Sequence, residues 1–136
     1  MKENKKIVWV NGCFDILHRG HVELLEYAKS CGDELVVGID FDARVKAAKG
    51  PSRPFNTFED RKRVLESLRA VDRVVGFGSD QELVEQIKSI KPFYMVVGSD
   101  WEGKKFTGHD IDGELYFHKR DHDWSTTAFR NRLKNS

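Results

Sequence analysis

Short apolar runs rich in β-branched residues alternate along this chain with segments whose apolar residues recur at helical spacing. That alternation limits the fold more than any other feature. Ile7 to Val10 is the first run, ending at Asn11-Gly12. Val22, Leu25 and Ala28, with Leu24 and Cys31, then repeat at helical spacing and stop at Gly32. Leu35 to Ile39 is the second run, with the bulk of a buried strand. Phe58 to Ala70 reads as a helix, with Val64, Leu68 and Val71 along one stripe, and Val74-Val75 marks a short strand ending at Gly76 or Gly78. Leu83, Ile87 and Ile90 predict a helix opened by a Ser79-Asp80 cap and closed before Pro92. Phe93 to Val97 and Glu114 to His118 are further strands, and Ser125 to Leu133 is a last helix with Phe129 and Leu133 on one face. Strands alternating with helices predict an α/β three-layer sandwich around a parallel sheet of about five strands.

A doubly wound, Rossmann-like sheet binds ligands beyond the carboxyl ends of its strands, where strand order reverses. The residues that matter are therefore those following the strands: Asn11 to His21, Asp40 to Asn56, Gly98 to Asp112 and Lys119 to Thr127. Bulk properties narrow the ligand class. The 136 residues fit one domain, 1–136, large enough to bury about two-thirds of its unfolded surface. With 23 basic and 22 acidic residues the formal net charge is +1, which argues against nucleic acid or a membrane surface held by bulk charge. It leaves room for a local basic pocket for a small polyanion. Cys13 and Cys31 have no zinc-like spacing and read as free thiols in a reducing compartment. The polar start and the lack of a run of ~20 apolar residues predict a cytoplasmic protein. There is no repeat, low-complexity tract or linker; Gly50 to Pro54 is the best candidate for a mobile loop.

The strongest chemical signal is Asn11-Gly12-Cys13-Phe14-Asp15-Ile16-Leu17-His18-Arg19-Gly20-His21. Gly12 lets the backbone approach a ligand, and Gly20 leads into a helix starting near His21, whose open N–H groups form an anion site. His18 and His21 can each donate a hydrogen bond to phosphate oxygens while the other ring nitrogen is held by a neighbour. The competing reading is a histidine pair that caps the helix or binds a metal. A second signal is Lys46, Lys49 and Arg53 around Gly50-Pro51, then Arg61, suited to closing over a phosphorylated substrate; charge runs of this kind are more often solvated faces. A third is Gly98-Ser99-Asp100-Trp101-Glu102-Gly103-Lys104, where Asp100 can accept from a base amino group and Trp101 can stack or simply pack. A fourth is Arg120, followed by Ser125-Thr126-Thr127 at a helix start, either phosphate donors or an ordinary cap. Asp121, His122 and Asp123 can attract a metal or form a solvated loop.

Gly12-x-Phe14-Asp15 followed by His18-x-Gly20-His21 resembles the signature of the cytidylyltransferase-like nucleotidyltransferases. Arg120-x-x-x-x-Ser125-Thr126-Thr127 resembles their second signature, with Trp124 in place of a small aliphatic residue. The resemblance runs from Ile7 to Leu133. It implies that His18, His21, Lys46 and Arg120 act in catalysis. It implies nucleotide contacts from Gly12, Cys13, Phe14, Asp15, Gly20, Asp100, Arg120, Ser125, Thr126 and Thr127. Lys46, Lys49, Arg61 and Trp101 are expected to meet the acceptor. Mg²⁺ is the implied cofactor, held mainly by the triphosphate rather than by dedicated protein ligands, and a homodimer is the implied assembly. The Asp100-Trp101-Glu102-Gly103-Lys104 stretch is similar to glycerol-3-phosphate cytidylyltransferases and makes CTP and glycerol 3-phosphate the first expectation. It departs at Ser99, where an acidic residue is common in that group. Lys49-Gly50-Pro51-Ser52-Arg53-Pro54 resembles heptose-phosphate nucleotidyltransferases, which implies heptose 1-phosphate with ATP or another NTP as the alternative. An FAD synthetase with flavin mononucleotide as acceptor, and a catalytically inactive nucleotide-binding module, are the remaining readings.

Overall fold

The computed structural model describes residues 5–98 and 114–118. Its elements run β1 (Ile7–Gly12), α1 (Arg19–Ser30), β2 (Glu34–Asp40), α2 (Asp42–Lys49), α3 (Phe58–Glu66), β3 (Arg73–Phe77), α4 (Asp80–Ile90), β4 (Tyr94–Gly98) and β5 (Glu114–His118). The strands form one sheet in the order β3-β2-β1-β4-β5. Every pairing is parallel, with Val10 opposite Val37, Trp9 opposite Met95 and Val96 opposite Tyr116. The five strands are those the apolar runs predict. The strand order reverses at β1, which has β2 on one side and β4 on the other, so the crevice of a doubly wound sheet opens beyond the ends of β1 and β4.

Both faces of the sheet are covered, as parallel sheets require. The alternation along β1 divides the core. Val8 and Val10 pack with Leu35, Val37 and Ile39 of β2, Leu25 and Ala28 of α1 and Leu65 of α3. Trp9 turns to the other face and packs with Val36, Phe77, Met95 and the α4 residues Leu83 and Ile87. Gly38 makes room for the indole: a Cβ there would lie 2.5 Å from the Trp9 ring.

Local chemistry sets the helix ends. Thr57 Oγ1 accepts from the Asp60 amide at 3.2 Å to open α3, and Ser79 Oγ accepts from the Glu82 amide at 3.1 Å to open α4. Lys91, at φ 55°, ends α4 in the left-handed region just before Pro92. Two features depart from the sequence expectation. α3 stops at Glu66 rather than Ala70, because the Ser67 hydroxyl and amide both turn back to the Val64 carbonyl and the chain tightens into three-residue turns. α2 was not anticipated; it is only eight residues long and buries Val45 alone, so it carries no apolar stripe to read.

Candidate active site

The turn after β1 is built by its own residues. Gly12 ends the strand, and a Cβ there would press to 3.1 Å from the Phe14 ring. Phe14 sits at φ 50°, a left-handed conformation that costs a non-glycine residue about 1–3 kcal/mol and persists only where packing holds it. Its buried ring supplies that packing and meets the His21 ring edge-on at 5.2 Å between centroids.

His18 is the N-cap of α1, so the helix begins at Arg19, earlier than the start near His21 that the sequence suggested. His18 Nδ1 accepts from the Gly20 amide at 3.0 Å, and His21 Nδ1 accepts from the His18 amide at 3.2 Å. The two imidazoles thus form a reciprocal capping box, and their rings stack at 3.9 Å. The expected open amides at this helix start are corrected accordingly: Gly20 N–H goes to the His18 ring, and the His21 and Val22 amides go to the His18 carbonyl. The chemical consequence lies on the far side of each ring. With Nδ1 accepting, Nε2 carries the proton of the neutral imidazole, which makes it a donor. Capping and anion binding are therefore compatible roles for one pair of histidines.

The segment after β2 is fastened to this turn by buried polar contacts. Asp15 is 3% exposed. Its Oδ2 accepts from Arg53 Nε at 3.2 Å and the Phe55 amide at 2.9 Å, and its Oδ1 accepts from the Asn56 amide at 2.9 Å. The Asn56 side chain returns a bond to the Asp15 carbonyl. The carboxylate expected to touch nucleotide is thus given to the 53–56 segment. Arg61, expected to meet the acceptor, is engaged inside the protein instead. Its side chain is fully buried, with Nε on the Asn56 carbonyl, Nη1 on the Cys13 carbonyl and Nη2 on Asp42 Oδ1. It pins the turn, the start of α2 and the start of α3 together. Asp42 and Asn56 went unnoticed in the sequence, where no spacing marks them as partners of Arg61.

Lys46 and Lys49 lie exposed on α2. The positive charge of Lys49 reaches Cys13 and Asp40. Burial pushes the Cys13 thiol up, opposed by Lys49 and Arg61, so the thiol stays protonated and is a poor nucleophile. Burial also pushes the Asp40 carboxyl up, opposed by Arg44, Lys49 and Arg61. Asp100, Trp101, the rest of the 101–104 stretch, Arg120, the 121–123 cluster, Trp124, Ser125, Thr126 and Thr127 lie outside the described residues. Among the described residues no group of three His, Cys, Asp or Glu side chains is placed to hold a metal, and no helix is long and apolar enough to cross a membrane.

Comparison with known proteins gives this geometry a family. Residues 9–132 match the model of the family described as Cytidylyltransferase-like. The bifunctional protein HldE of Aliarcobacter butzleri is 49% identical over 130 residues, covering 96% of this chain and 27% of that protein. The bifunctional protein HldE of Helicobacter pylori J99 is 40% identical over 133 residues, covering 98% of this chain and 28% of that protein. The chain therefore spans little more than a quarter of the length of these relatives. Among solved structures, a lipopolysaccharide core biosynthesis protein from Thermoplasma volcanium superposes with a TM-score of 0.70 at 25% identity, over 89% of this chain and 99% of that one. A bifunctional NMN adenylyltransferase/ADP ribose pyrophosphatase from Francisella tularensis shares the fold, with a TM-score of 0.70 at 16% identity over 97% of this chain and 42% of that one. The turn of two histidines at the reversal of a parallel sheet and the match along nearly the whole chain agree: the chain belongs to the cytidylyltransferase-like family and is a nucleotidyltransferase.

Proposed function

We propose that the chain transfers the adenylyl group of ATP to a heptose 1-phosphate, giving an ADP-heptose and pyrophosphate. The observation that carries the reaction type is the capping box that leaves two stacked imidazoles with their protons on Nε2 at the strand-order reversal. Fixed neutral donors suit a phosphorus centre whose charge shifts during transfer. An oxygen of the acceptor phosphate attacks the α-phosphorus. The new P–O–P bridge forms as the bond to the α,β-bridging oxygen breaks, and pyrophosphate leaves. A phosphate oxygen is already a competent nucleophile, so positioning and electrostatics supply the catalysis. The protonated Cys13 thiol agrees with a path that has no covalent enzyme intermediate. In this reading His18 and His21 brace the α-phosphate, Lys46 and Lys49 bring positive charge to the acceptor side, and Arg120 with Ser125, Thr126 and Thr127 holds the outgoing phosphates. The donor groups at the turn are imidazole N–H, and the nearby charges on α2 are ammonium, which fit phosphate oxygens rather than a cation. Mg²⁺ would then be held mainly by the triphosphate, where it would neutralise charge.

The acceptor is the finer step. The 101–104 stretch pointed first to CTP and glycerol 3-phosphate. The HldE relatives, the lipopolysaccharide core protein of like fold and the Lys49 to Pro54 loop favour the sugar phosphate. Pyrophosphate release, measured with four NTPs crossed with heptose 1-phosphate, glycerol 3-phosphate and flavin mononucleotide, tests this. Turnover with ATP and heptose 1-phosphate is the expected result. Turnover confined to CTP and glycerol 3-phosphate would return the assignment to CDP-glycerol. Nucleotide binding without turnover in any combination would favour an inactive binding module.

A further inference from the structure

Arg53 is the buried cation for which the reading above has no use. Its side chain is 6% exposed. Nε donates to Asp15 Oδ2 at 3.2 Å, while Nη2 is buried without a hydrogen-bond partner. Arg61, also buried, has all three guanidinium nitrogens engaged. Buried donors are almost always satisfied, and an exception calls for a cause. Burying a guanidinium is costly unless its charge and its fork of donors are both met. Here the carboxylate that faces it is shared with the Phe55 and Asn56 amides. Asp15 therefore fixes Arg53 in place without using up its donors.

The position suits a ligand. Asp15 precedes His18 on the turn after β1, so Arg53 is held against the turn that carries the imidazoles. Arg53 also follows α2, whose Lys49 lies close enough to the same turn to act on Cys13. The Phe55 ring flanks the guanidinium, 5.9 Å from its carbon.

We propose that Arg53 binds the phosphate of the acceptor, with Asp15 as its positioning residue. This rests on the reading that the acceptor is a phosphate ester, and it adds a binding residue to the exposed lysines of α2. A guanidinium fork fits two phosphate oxygens at once, whereas an ammonium offers a point charge.

The test uses the full chain saturated with α,β-methylene-ATP, which fills the nucleotide site and cannot be cleaved between the α- and β-phosphorus. Inorganic phosphate and heptose 1-phosphate are titrated calorimetrically into wild type, Arg53→Gln and Arg53→Lys. Arg53→Gln is expected to weaken both phosphates about tenfold or more and to leave binding of the analogue within about twofold. Arg53→Lys, which keeps the charge beside Asp15, should fall between and serves as the deciding variant if Arg53→Gln does not fold. Unchanged phosphate affinity, an equal loss for the nucleotide analogue, or no phosphate binding by wild type would overturn the inference. Arg53-dependent binding of inorganic phosphate without binding of heptose 1-phosphate would sink the heptose assignment and leave the Arg53 site standing.

Discussion

The turn after β1 and the segment after β2 meet at one end of the sheet, yet they are held by opposite means. In the turn, His18, Gly20 and His21 fasten one another, and Phe14 packs on its near neighbours Gly12 and His21. The segment is held by contacts that cross long stretches of chain: Asp15 to Arg53 and Asn56, Arg61 to Cys13, and Arg61 to Asp42. The turn positions donors, and the segment positions the turn. Loss of an imidazole from the first region should therefore cost function more than stability, and loss of the Arg61 contacts in the second should cost stability.

The largest expected effect tests the first half of that contrast. His18→Ala should lower kcat on the order of a hundredfold or more, the loss seen when a transition-state donor is removed. Unfolding free energy should fall by only about 1 kcal/mol, the usual value of an N-cap. Parallel measurement of turnover and urea unfolding checks this, and a stability loss that accounts for the lost activity would erase the distinction. Arg61→Ala is the counterpart. It strands the Cys13 and Asn56 carbonyls and parts Arg61 from Asp42, whose side chain is 40% exposed. A destabilisation of about 2–4 kcal/mol in urea unfolding is expected, at or below the range for a wholly buried pair. Arg61→Lys should not restore it, because an ammonium cannot span three acceptors in one plane.

Lys46 sharpens the comparison, since it shares the segment with Arg61 but is exposed. Lys46→Ala should change stability by no more than about 0.5 kcal/mol while lowering kcat/KM for the acceptor about tenfold. If it unfolds the protein as Arg61→Ala does, exposure is the wrong guide to role. The smallest effect is expected at the opposite end of the sheet. Burial acts against ionisation of Asp72, but hydrogen bonds from Lys29 and the Leu35 amide outweigh it and hold the carboxyl below its usual range. A depressed folded value gives stability above the unfolded value of about 3.9 and loses it as pH falls through the folded value. Stability curves of wild type and Asp72→Asn should therefore differ slightly near neutrality and converge in acid; a gap that widens in acid would reverse the assigned direction.

The same contrast explains what could be read from the sequence. The five strands follow from apolar runs, and the Gly12 to His21 string lies in one place, so the family was legible there. Even there, capping and phosphate donation stood as rival readings, because sequence does not say which ring nitrogen meets the backbone. Arg61 was assigned to the acceptor because a guanidinium beside lysines looks the same whether it faces solvent or is buried. Its partners Asp42, Asn56 and Cys13 are joined only when the sheet brings β1 and β2 together. α2 escaped notice because a helix that buries Val45 alone leaves no periodic signal. Arg53 stood out in the sequence as one charge in a basic loop; its burial against Asp15 is visible only in the fold.

The central claim is direct transfer of a nucleotidyl group at this turn, and stereochemistry at phosphorus tests it. With a single diastereomer of ATP bearing sulfur on the α-phosphorus, and heptose 1-phosphate as acceptor, one in-line displacement predicts product with inverted configuration. Retention would mean two displacements through a covalent enzyme intermediate and would contradict the account.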